Sequence, residues 1–89
     1  PMRTNQMAYH TMVPSAELWT LASPVYRGTK TEFDGRYEYF IKYGPQAPVY
    51  VAVGRNGKIK ITGGEDIVWF AKKSGLEQLP VFFSYQQQV

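Results

Sequence analysis

Alternation of apolar and polar positions predicts a strand and then a short helix at the start of the chain. The run Gln6–Val13 has two moderately apolar faces, which is typical of a strand, and Pro14 ends it. Ser15 stands at the expected N-cap of a helix over about 16–22. Residues 23–30 show no periodicity and are expected to form a loop. The inward positions of the helix would be Leu18, Leu21 and Ala22.

A second, longer helix is predicted in the middle of the chain. Thr31 and Asp34 have the spacing of a capping box, and Gly44 followed by Pro45 ends the helical pattern. Between these limits, apolar residues recur at the i, i+4, i+7 and i+8 positions of one helical face, which is therefore expected to be buried. The residues of this stripe are Phe33, Tyr37, Phe40 and Ile41.

A β-hairpin follows this helix. Valine occupies alternate positions of a strand over 49–53, the Asn-Gly pair at 56–57 is typical of a type I′ turn, and 58–61 forms the returning strand. Because side chains alternate along a strand, Ile59 and Ile61 would share the buried face. The lysines at the positions between them would point into water.

The last third of the chain predicts a turn, a helix and a strand. Gly63 and Gly64 precede a helix over about 65–74, Gly75 closes it, and a final strand over 81–85 completes a compact crossover unit. Together the predicted elements make one small α+β domain. It would have a mixed sheet with a β-hairpin and about three helices.

The composition supports a single domain over residues 2–89. The 89 residues are 44% hydrophobic and 16% aromatic, and they include no cysteine, which excludes disulfides and thiolate metal sites. Pro1 ahead of Met2 is interpreted as a tag remnant, and residues 86–89 are expected to be frayed. No apolar run has the length of a membrane span and no signal pattern begins the chain, so we expect a cytoplasmic protein without membrane contact.

The stretch Asn56–Phe83, NGKIKITGGEDIVWFAKKSGLEQLPVFF, resembles the core of the ParB-like nuclease domain of the ParB and sulfiredoxin superfamily. The shared features are a hairpin strand, a Gly-containing turn, a helix with an Ala-Lys-Lys centre, a Gly stop and a Leu-x-x-x-Pro-Val strand. Upstream, the order of helix, Gly, Pro and strand also fits the family. The resemblance implies a ParB/sulfiredoxin-like fold for most of the chain.

The resemblance also implies a functional turn at the start of the last helix. In that family a Gly is followed by an acidic, polar or His residue and then by Arg, which together hold nucleotide phosphates or assist phosphodiester chemistry. Gly64 and Glu65 match this pattern and form the candidate turn together with Gly63, but Asp66 stands where His or Arg is expected and Ile67 where Arg is expected. An aliphatic side chain offers a phosphate no donor. The turn is therefore interpreted as vestigial, in a degenerate stand-alone member of the superfamily.

No catalytic residue is identified elsewhere in the sequence. His10 is the only histidine and has no nucleophile or acidic partner near it in sequence. Ser15 is better explained as a helix cap than as a nucleophile. We therefore expect no enzymatic activity, no cofactor and no metal site.

Two classes of partner remain, of which a protein is slightly favoured. The chain has more aromatic residues than one small core buries, and Tyr and Trp are frequent interface anchors. A catalytically degenerate relative of this family suggests a phage or mobile-element protein that binds and modulates a host protein, such as an inhibitor in the host cytoplasm. The candidate interface residues are Trp19, Tyr39, Tyr43 and Trp69.

The other class is nucleic acid. The formal net charge is +3, and lysines and arginines of the hairpin and the last helix would contact phosphates without reading sequence. These candidate DNA-binding residues are Arg55, Lys58, Lys60, Lys72 and Lys73. Residual nucleotide binding at the Gly63-Gly64 turn is a third alternative. Oligomeric state is left open by the sequence.

Overall fold

The computed structural model describes residues 6–23 and 25–86, and within these ranges it has four strands and three helices. The strands are β1 (Gln6–Pro14), β2 (Val49–Val53), β3 (Ile59–Gly63) and β4 (Gln78–Gln86). The helices are α1 (Ser15–Trp19), α2 (Lys30–Tyr43) and α3 (Glu65–Ser74). The α+β class with a hairpin and three helices is therefore confirmed. None of the helices described has the length and apolar character needed to cross a membrane.

The four strands form one mixed sheet in the order β1-β4-β2-β3. Strand β4 lies inside the sheet, antiparallel to β1 and parallel to β2, while β2 and β3 form the antiparallel hairpin. The parallel neighbours β2 and β4 are connected through β3 and α3. The predicted crossover therefore exists, but it returns the chain beside β2 and not beside β3.

All three helices contribute to one core on a single face of the sheet. The strand residues of the core occupy alternate positions of β2 and β4, and each is at most 1% exposed. They pack against buried residues of α1, α2 and α3. No residue of this core comes from the intervening strand positions, so within the described residues the helices cover a single face. The core consists of Leu18, Phe40, Val49, Val51, Val68, Phe70, Ala71, Leu79 and Val81.

Helix α1 is shorter than expected, and Ser15 is not its cap. The helix ends at Trp19, and its N-cap is Pro14, with Ser15 as the first helical residue. Ser15 is 2% exposed, and its hydroxyl donates a hydrogen bond to the carbonyl of Leu76 at 2.5 Å. Its backbone N–H donates to the carbonyl of Glu77 at 2.8 Å. Ser15 therefore connects α1 to the segment between α3 and β4.

The capping box of α2 lies two residues earlier than predicted. The helix begins at Lys30, and its N-cap is Thr29, whose side chain accepts a hydrogen bond from the backbone N–H of Glu32 at 3.1 Å. The Glu32 carboxylate accepts one from the backbone N–H of Thr29 at 2.9 Å. This hydrogen bond and a second one, donated to the same carboxylate by the Thr29 hydroxyl, lower the pKa of Glu32. Thr31 cannot be the cap because it already lies inside the first helical turn.

Two isoleucines predicted to be buried are exposed. Phe40 is buried and Phe33 and Tyr37 are half-buried, but Ile41 is 56% exposed, since α2 packs mainly against α3, which covers only part of its surface. Ile59 is 48% exposed. It is the first residue of β3, which lies at the edge of the described sheet with no further strand beside it.

The hairpin loop differs from the predicted type I′ turn. Such a turn requires a positive φ at both central residues, whereas only Gly57 has one here, at 83°. The N–H of Gly57 donates to the carbonyl of Gly54 at 3.0 Å, and the N–H of Gly54 donates to the carbonyl of Lys58 at 2.8 Å. The Asn56 side chain accepts from the N–H of Lys58 at 3.0 Å. This arrangement fits a three-residue loop that ends on a left-handed glycine.

The last helix and strand agree with the sequence pattern, apart from one boundary. Helix α3 spans Glu65–Ser74 and ends at Gly75, which has the left-handed conformation with a φ of 82°. Strand β4 starts at Gln78, three residues before the predicted start at Val81. The extra residues pair with the end of β1, a long-range contact that local periodicity does not encode.

Candidate functional site

The turn before α3 needs its glycine for reasons of backbone geometry. Gly64 is the N-cap of α3 and has a φ of 77°, in the left-handed region that side chains disfavour. A Cβ atom at Gly64 would also lie 3.1 Å from the carbonyl oxygen of Pro48 and 3.2 Å from the Cα of Val49. The glycine is therefore explained by packing against the start of β2, without a phosphate.

The first residues of α3 have contacts within the protein. The Glu65 carboxylate accepts a hydrogen bond from the backbone N–H of Ser23 at 2.6 Å. The Asp66 carboxylate lies 3.3 Å from the guanidinium of Arg36 on α2. Ile67 is half-buried against the core, in the inward position expected for it. Two carboxylates therefore stand at the positive end of the helix dipole, where a phosphate would otherwise bind.

A groove of about 420 Å³ lies beside this turn. Two arginines, Arg27 and Arg36, line it together with three carboxylates, those of Glu32, Glu65 and Asp66. The carboxylates outnumber the guanidinium groups, so the net charge of the groove is negative and disfavours a polyphosphate. Among the described residues, no three acidic or histidine side chains are arranged to hold a metal ion.

A second groove, of about 580 Å³, lies at the hairpin end of the sheet. Its cationic residues are Arg55, Lys58 and Lys60, and all three are exposed. The short side chains of Ala52 and Ser84 also line it. Ala52 pairs with Lys60 on β3 and with Ser84 on β4, so these residues form a row across the sheet. We call this site the hairpin groove.

The two lysines of α3 lie far from the hairpin groove. The hairpin loop follows the end of β2, whereas the end of α3 leads into the start of β4, and β2 and β4 are parallel. The two sets of cations are therefore at opposite ends of the sheet. The ammonium of Lys72 lies 5.4 Å from the ring centre of Trp19, and that of Lys73 lies 5.3 Å from the ring of Tyr37.

The four aromatic residues predicted as a protein interface fall into two separate places. Tyr39 and Tyr43 on α2 are each 55% exposed, with ring centres 4.6 Å apart. Trp19 on α1 is 39% exposed and lines a different groove, of about 350 Å³, together with the half-buried Trp69 on α3. The four side chains therefore do not form one continuous surface.

Charge is distributed unevenly between the helical layer and the sheet. No acidic residue belongs to any described strand or to the hairpin loop. The helices and the segments that connect them contain all seven acidic residues of the chain and six of its basic residues. Apart from Arg3, the basic residues left over are the three of the hairpin groove. The acidic residues are Glu17, Glu32, Asp34, Glu38, Glu65, Asp66 and Glu77.

The uncovered sheet face carries a row of rings that the sequence analysis did not single out. His10 on β1 pairs with Phe82 on β4, and Phe82 pairs with Tyr50 on β2. The ring centres of Tyr50 and Phe82 are 5.8 Å apart, and Tyr50 is 43% exposed. The three residues are widely separated in sequence, so only the strand register places them side by side.

Comparison with known proteins identifies the fold. No protein-family model and no curated protein matches the chain. A crystal structure of the C-terminally truncated chromosome-partitioning protein ParB from Caulobacter crescentus, complexed with CTP-gamma-S, is 15% identical, with a TM-score of 0.63 over 91% of this chain and 46% of that chain. A Pnob8-like ParB-N domain is 12% identical, with a TM-score of 0.57 over 93% of this chain and 32% of that chain. This chain spans less than half the length of either structure, and it has the fold of the ParB N-terminal domain.

Proposed function

We propose that this protein is a non-catalytic nucleic-acid-binding protein that contacts the phosphate backbone at the hairpin groove. The observation that carries the proposal is the grouping of Arg55, Lys58 and Lys60 around one groove of a sheet whose strands contain no acidic residue. Basic residues in such a group neutralise phosphates and release their counterions, which favours binding. The short side chains of Ala52 and Ser84 leave room for a sugar-phosphate backbone to approach.

Binding of this kind is expected to be largely independent of sequence. Phosphate contacts fix the position of a protein on nucleic acid but carry no sequence information. Among the described elements, no two helices are joined by the short turn of a helix-turn-helix motif. The fold likeness to a chromosome-partitioning protein is consistent with a role at DNA.

The absence of catalysis is part of the proposal. Ile67 replaces the arginine that the resemblance leads us to expect, and its side chain packs inward. Asp66 replaces the expected His or Arg and is paired with Arg36. Neither residue is available to stabilise the charge that develops on a reacting phosphate. We therefore expect no nuclease activity.

Residual nucleotide binding at the Gly63-Gly64 turn is the weaker candidate, although one structure of this fold is complexed with a nucleotide. The carboxylates of Glu65 and Asp66 occupy the opening of α3, and the adjoining groove has more carboxylates than guanidinium groups. A ligand that binds the folded state raises the melting temperature. We expect excess CTP or ATP to leave the melting temperature unchanged, and a clear rise would favour nucleotide binding instead.

Binding of a host protein stays a second candidate, and the exposed Tyr39–Tyr43 pair is the observation that favours it. Two exposed rings on one helical face are suitable anchors for an interface. A defined partner should then be captured by the wild-type protein at moderate salt and lost with Tyr39→Ser and Tyr43→Ser combined. Capture that is equal for both proteins would exclude this surface as the binding site.

The nucleic-acid proposal is tested by fluorescence anisotropy with a labelled DNA duplex at several salt concentrations. The double variant Lys58→Gln and Lys60→Gln should bind about tenfold more weakly or worse at low salt, with a salt slope smaller by about two units. The matched control is Lys72→Gln and Lys73→Gln, which removes the same charge from α3. This control should bind almost as the wild type does.

Two outcomes would contradict the proposal. If the wild-type protein binds neither duplex nor single-stranded DNA at low salt, the hairpin groove is not a nucleic-acid site. If both double variants lose affinity equally, binding follows the net charge and not the groove.

A further inference from the structure

We infer that the uncovered sheet face selects single-stranded nucleic acid by stacking bases on the row formed by His10, Phe82 and Tyr50. This inference rests on the proposed nucleic-acid function and specifies its ligand. The hairpin groove would hold the phosphates, while the ring row would hold the bases. We call the two together the open-face platform.

The ring row is a consequence of strand register. His10, Phe82 and Tyr50 occupy directly paired positions on β1, β4 and β2, which are neighbouring strands. Tyr50 and Phe82 lie at positions alternate to the buried core residues of β2 and β4, and His10 pairs directly with Phe82, so all three rings are on the face opposite the helices. His10 and Tyr50 are exposed and Phe82 is half-buried. Flat side chains on three adjacent strands offer stacking surfaces to more than one base.

Gly63 completes the row at the sheet edge. It pairs with Tyr50, and a Cβ atom added to Gly63 would lie only 3.1 Å from Cδ2 of the Tyr50 ring. The ring therefore lies against the backbone of β3, in space that any other residue would occupy. This contact supports one side of the ring and leaves 43% of the residue exposed for a ligand.

The rings and the cations are at a suitable separation for one strand of nucleic acid. The row of Ala52, Ser84 and Lys60 follows the ring row by two residues, which is about 7 Å along the strands. Short side chains in this second row leave a path between the rings and the basic loop. A phosphate next to a base stacked on Tyr50 can therefore reach the ammonium of Lys60.

The chemistry favours single strands over the other possible occupants. In a duplex the bases are stacked on each other and their faces are unavailable, whereas single strands can place their bases on exposed rings. A protein partner is less favoured, because the face combines rings with three unbalanced cations and no acidic residue. That charge is complementary to a phosphate backbone, and it would repel a second copy of the same face.

The test compares a labelled oligothymidine of about 12 nucleotides with a duplex of the same length by fluorescence anisotropy. Wild-type protein should bind the single strand more tightly. Tyr50→Leu and Phe82→Leu keep apolar bulk but remove a ring, and each should weaken single-strand binding by about 5- to 150-fold. Both should leave duplex binding almost unchanged. Thermal melts would check that the variants are folded.

The matched control is Tyr39→Leu, which removes an exposed ring from α2 in the helical layer. It should leave the affinity for both ligands unchanged. Photo-crosslinking of the oligothymidine followed by mass spectrometry gives an independent readout that does not depend on a variant. Adducts are expected on Tyr50 or Phe82.

The possible failures are distinguishable. If Lys58→Gln with Lys60→Gln weakens binding but single strand and duplex bind equally, and Tyr50→Leu changes neither, the proposed function stands and this inference is overturned. If no nucleic acid binds, both are overturned. Sedimentation that shows a dimer which Tyr50→Leu dissociates would assign the face to a second copy of the chain and overturn the inference.

Discussion

The two faces of the sheet differ in what covers them and in the charge around them. On the helical face, core residues are at most 6% exposed and are packed against three helices. On the other face, Met12 is 55% and Tyr50 is 43% exposed. The helical layer carries every acidic residue of the chain, whereas the cations of the hairpin have no acidic residue in the sheet beside them.

This difference separates folding from binding within the same strands. Along β2, Val49 and Val51 are buried, while Tyr50 between them is exposed. Substitutions on the two faces should therefore affect different properties of the protein. Changes on the helical face should reduce stability, and changes on the uncovered face should reduce ligand binding with little loss of stability.

The largest expected effect compares one residue from each face. Leu79 is 0% exposed, and Leu79→Ala should lower the free energy of unfolding by about 2–5 kcal/mol because it leaves a cavity. Met12→Ala on the uncovered face should change it by no more than about 0.5 kcal/mol. Urea denaturation followed by circular dichroism measures both. Equal losses would mean that a covering element protects the second face.

The next effect concerns the hydrogen bond that connects the start of α1 to the segment between α3 and β4. Ser15→Ala removes the donor to the Leu76 carbonyl and should cost about 0.5–1.5 kcal/mol of unfolding free energy, the net contribution of one part-buried hydrogen bond. Thr20→Ala, which removes a long and exposed hydrogen bond to Glu17, is the control and should cost almost nothing. Nucleic-acid affinity of folded Ser15→Ala should equal that of the wild type. A loss of affinity would link the two faces.

A smaller difference in stability is expected between substitutions of Thr29, the observed cap of α2, and Thr31, the predicted one. Thr29→Ala should cost about 0.5–2 kcal/mol, since it removes the side-chain half of the capping box. Thr31→Ala should cost less, because this side chain caps nothing. Thermal melts of the two variants measure the difference. The reverse order would mean that α2 begins later than Lys30.

The smallest effect is a dependence on pH. Backbone and side-chain hydrogen bonds from Thr29 lower the pKa of Glu32 in the folded state. A lowered pKa means that the contribution to stability is present above the unfolded pKa and is lost as pH falls through the folded one. The melting temperature of Glu32→Gln should therefore fall less on acidification below pH about 4.5 than that of the wild type. Parallel acid profiles would contradict the observed cap.

Local signals in the sequence were sufficient to locate the hairpin and α3, although not to give the type of the hairpin loop. Valine alternation, the Asn-Gly pair and Gly75 act within a few residues, so they could be interpreted without the fold. The capping box was also visible in principle, since Thr29 and Glu32 have the Thr-x-x-Glu spacing. The pair that begins at Thr31 has a similar spacing, and the path of the loop that enters the helix decides between the two.

Features that depend on contacts between residues distant in sequence could not be predicted from local signals. Periodicity predicted that Ile41 and Ile59 face inward, but it does not indicate how far the helices extend over the sheet. The separation of Lys72 from the hairpin follows from the parallel pairing of β2 and β4. The same is true of the ring row, because Tyr50 and Phe82 become neighbours only through strand register.

The most direct test of the central claim is an NMR titration of the isotope-labelled protein with oligothymidine. If the uncovered face binds the nucleic acid, the amide signals of residues 50–60 and 82–84 should shift, together with that of His10. The signals of α2 and of the turn at Gly64 should remain in place. Shifts concentrated at Gly64 and Glu65, or along Tyr39 to Tyr43, would contradict the assignment of binding to the uncovered face.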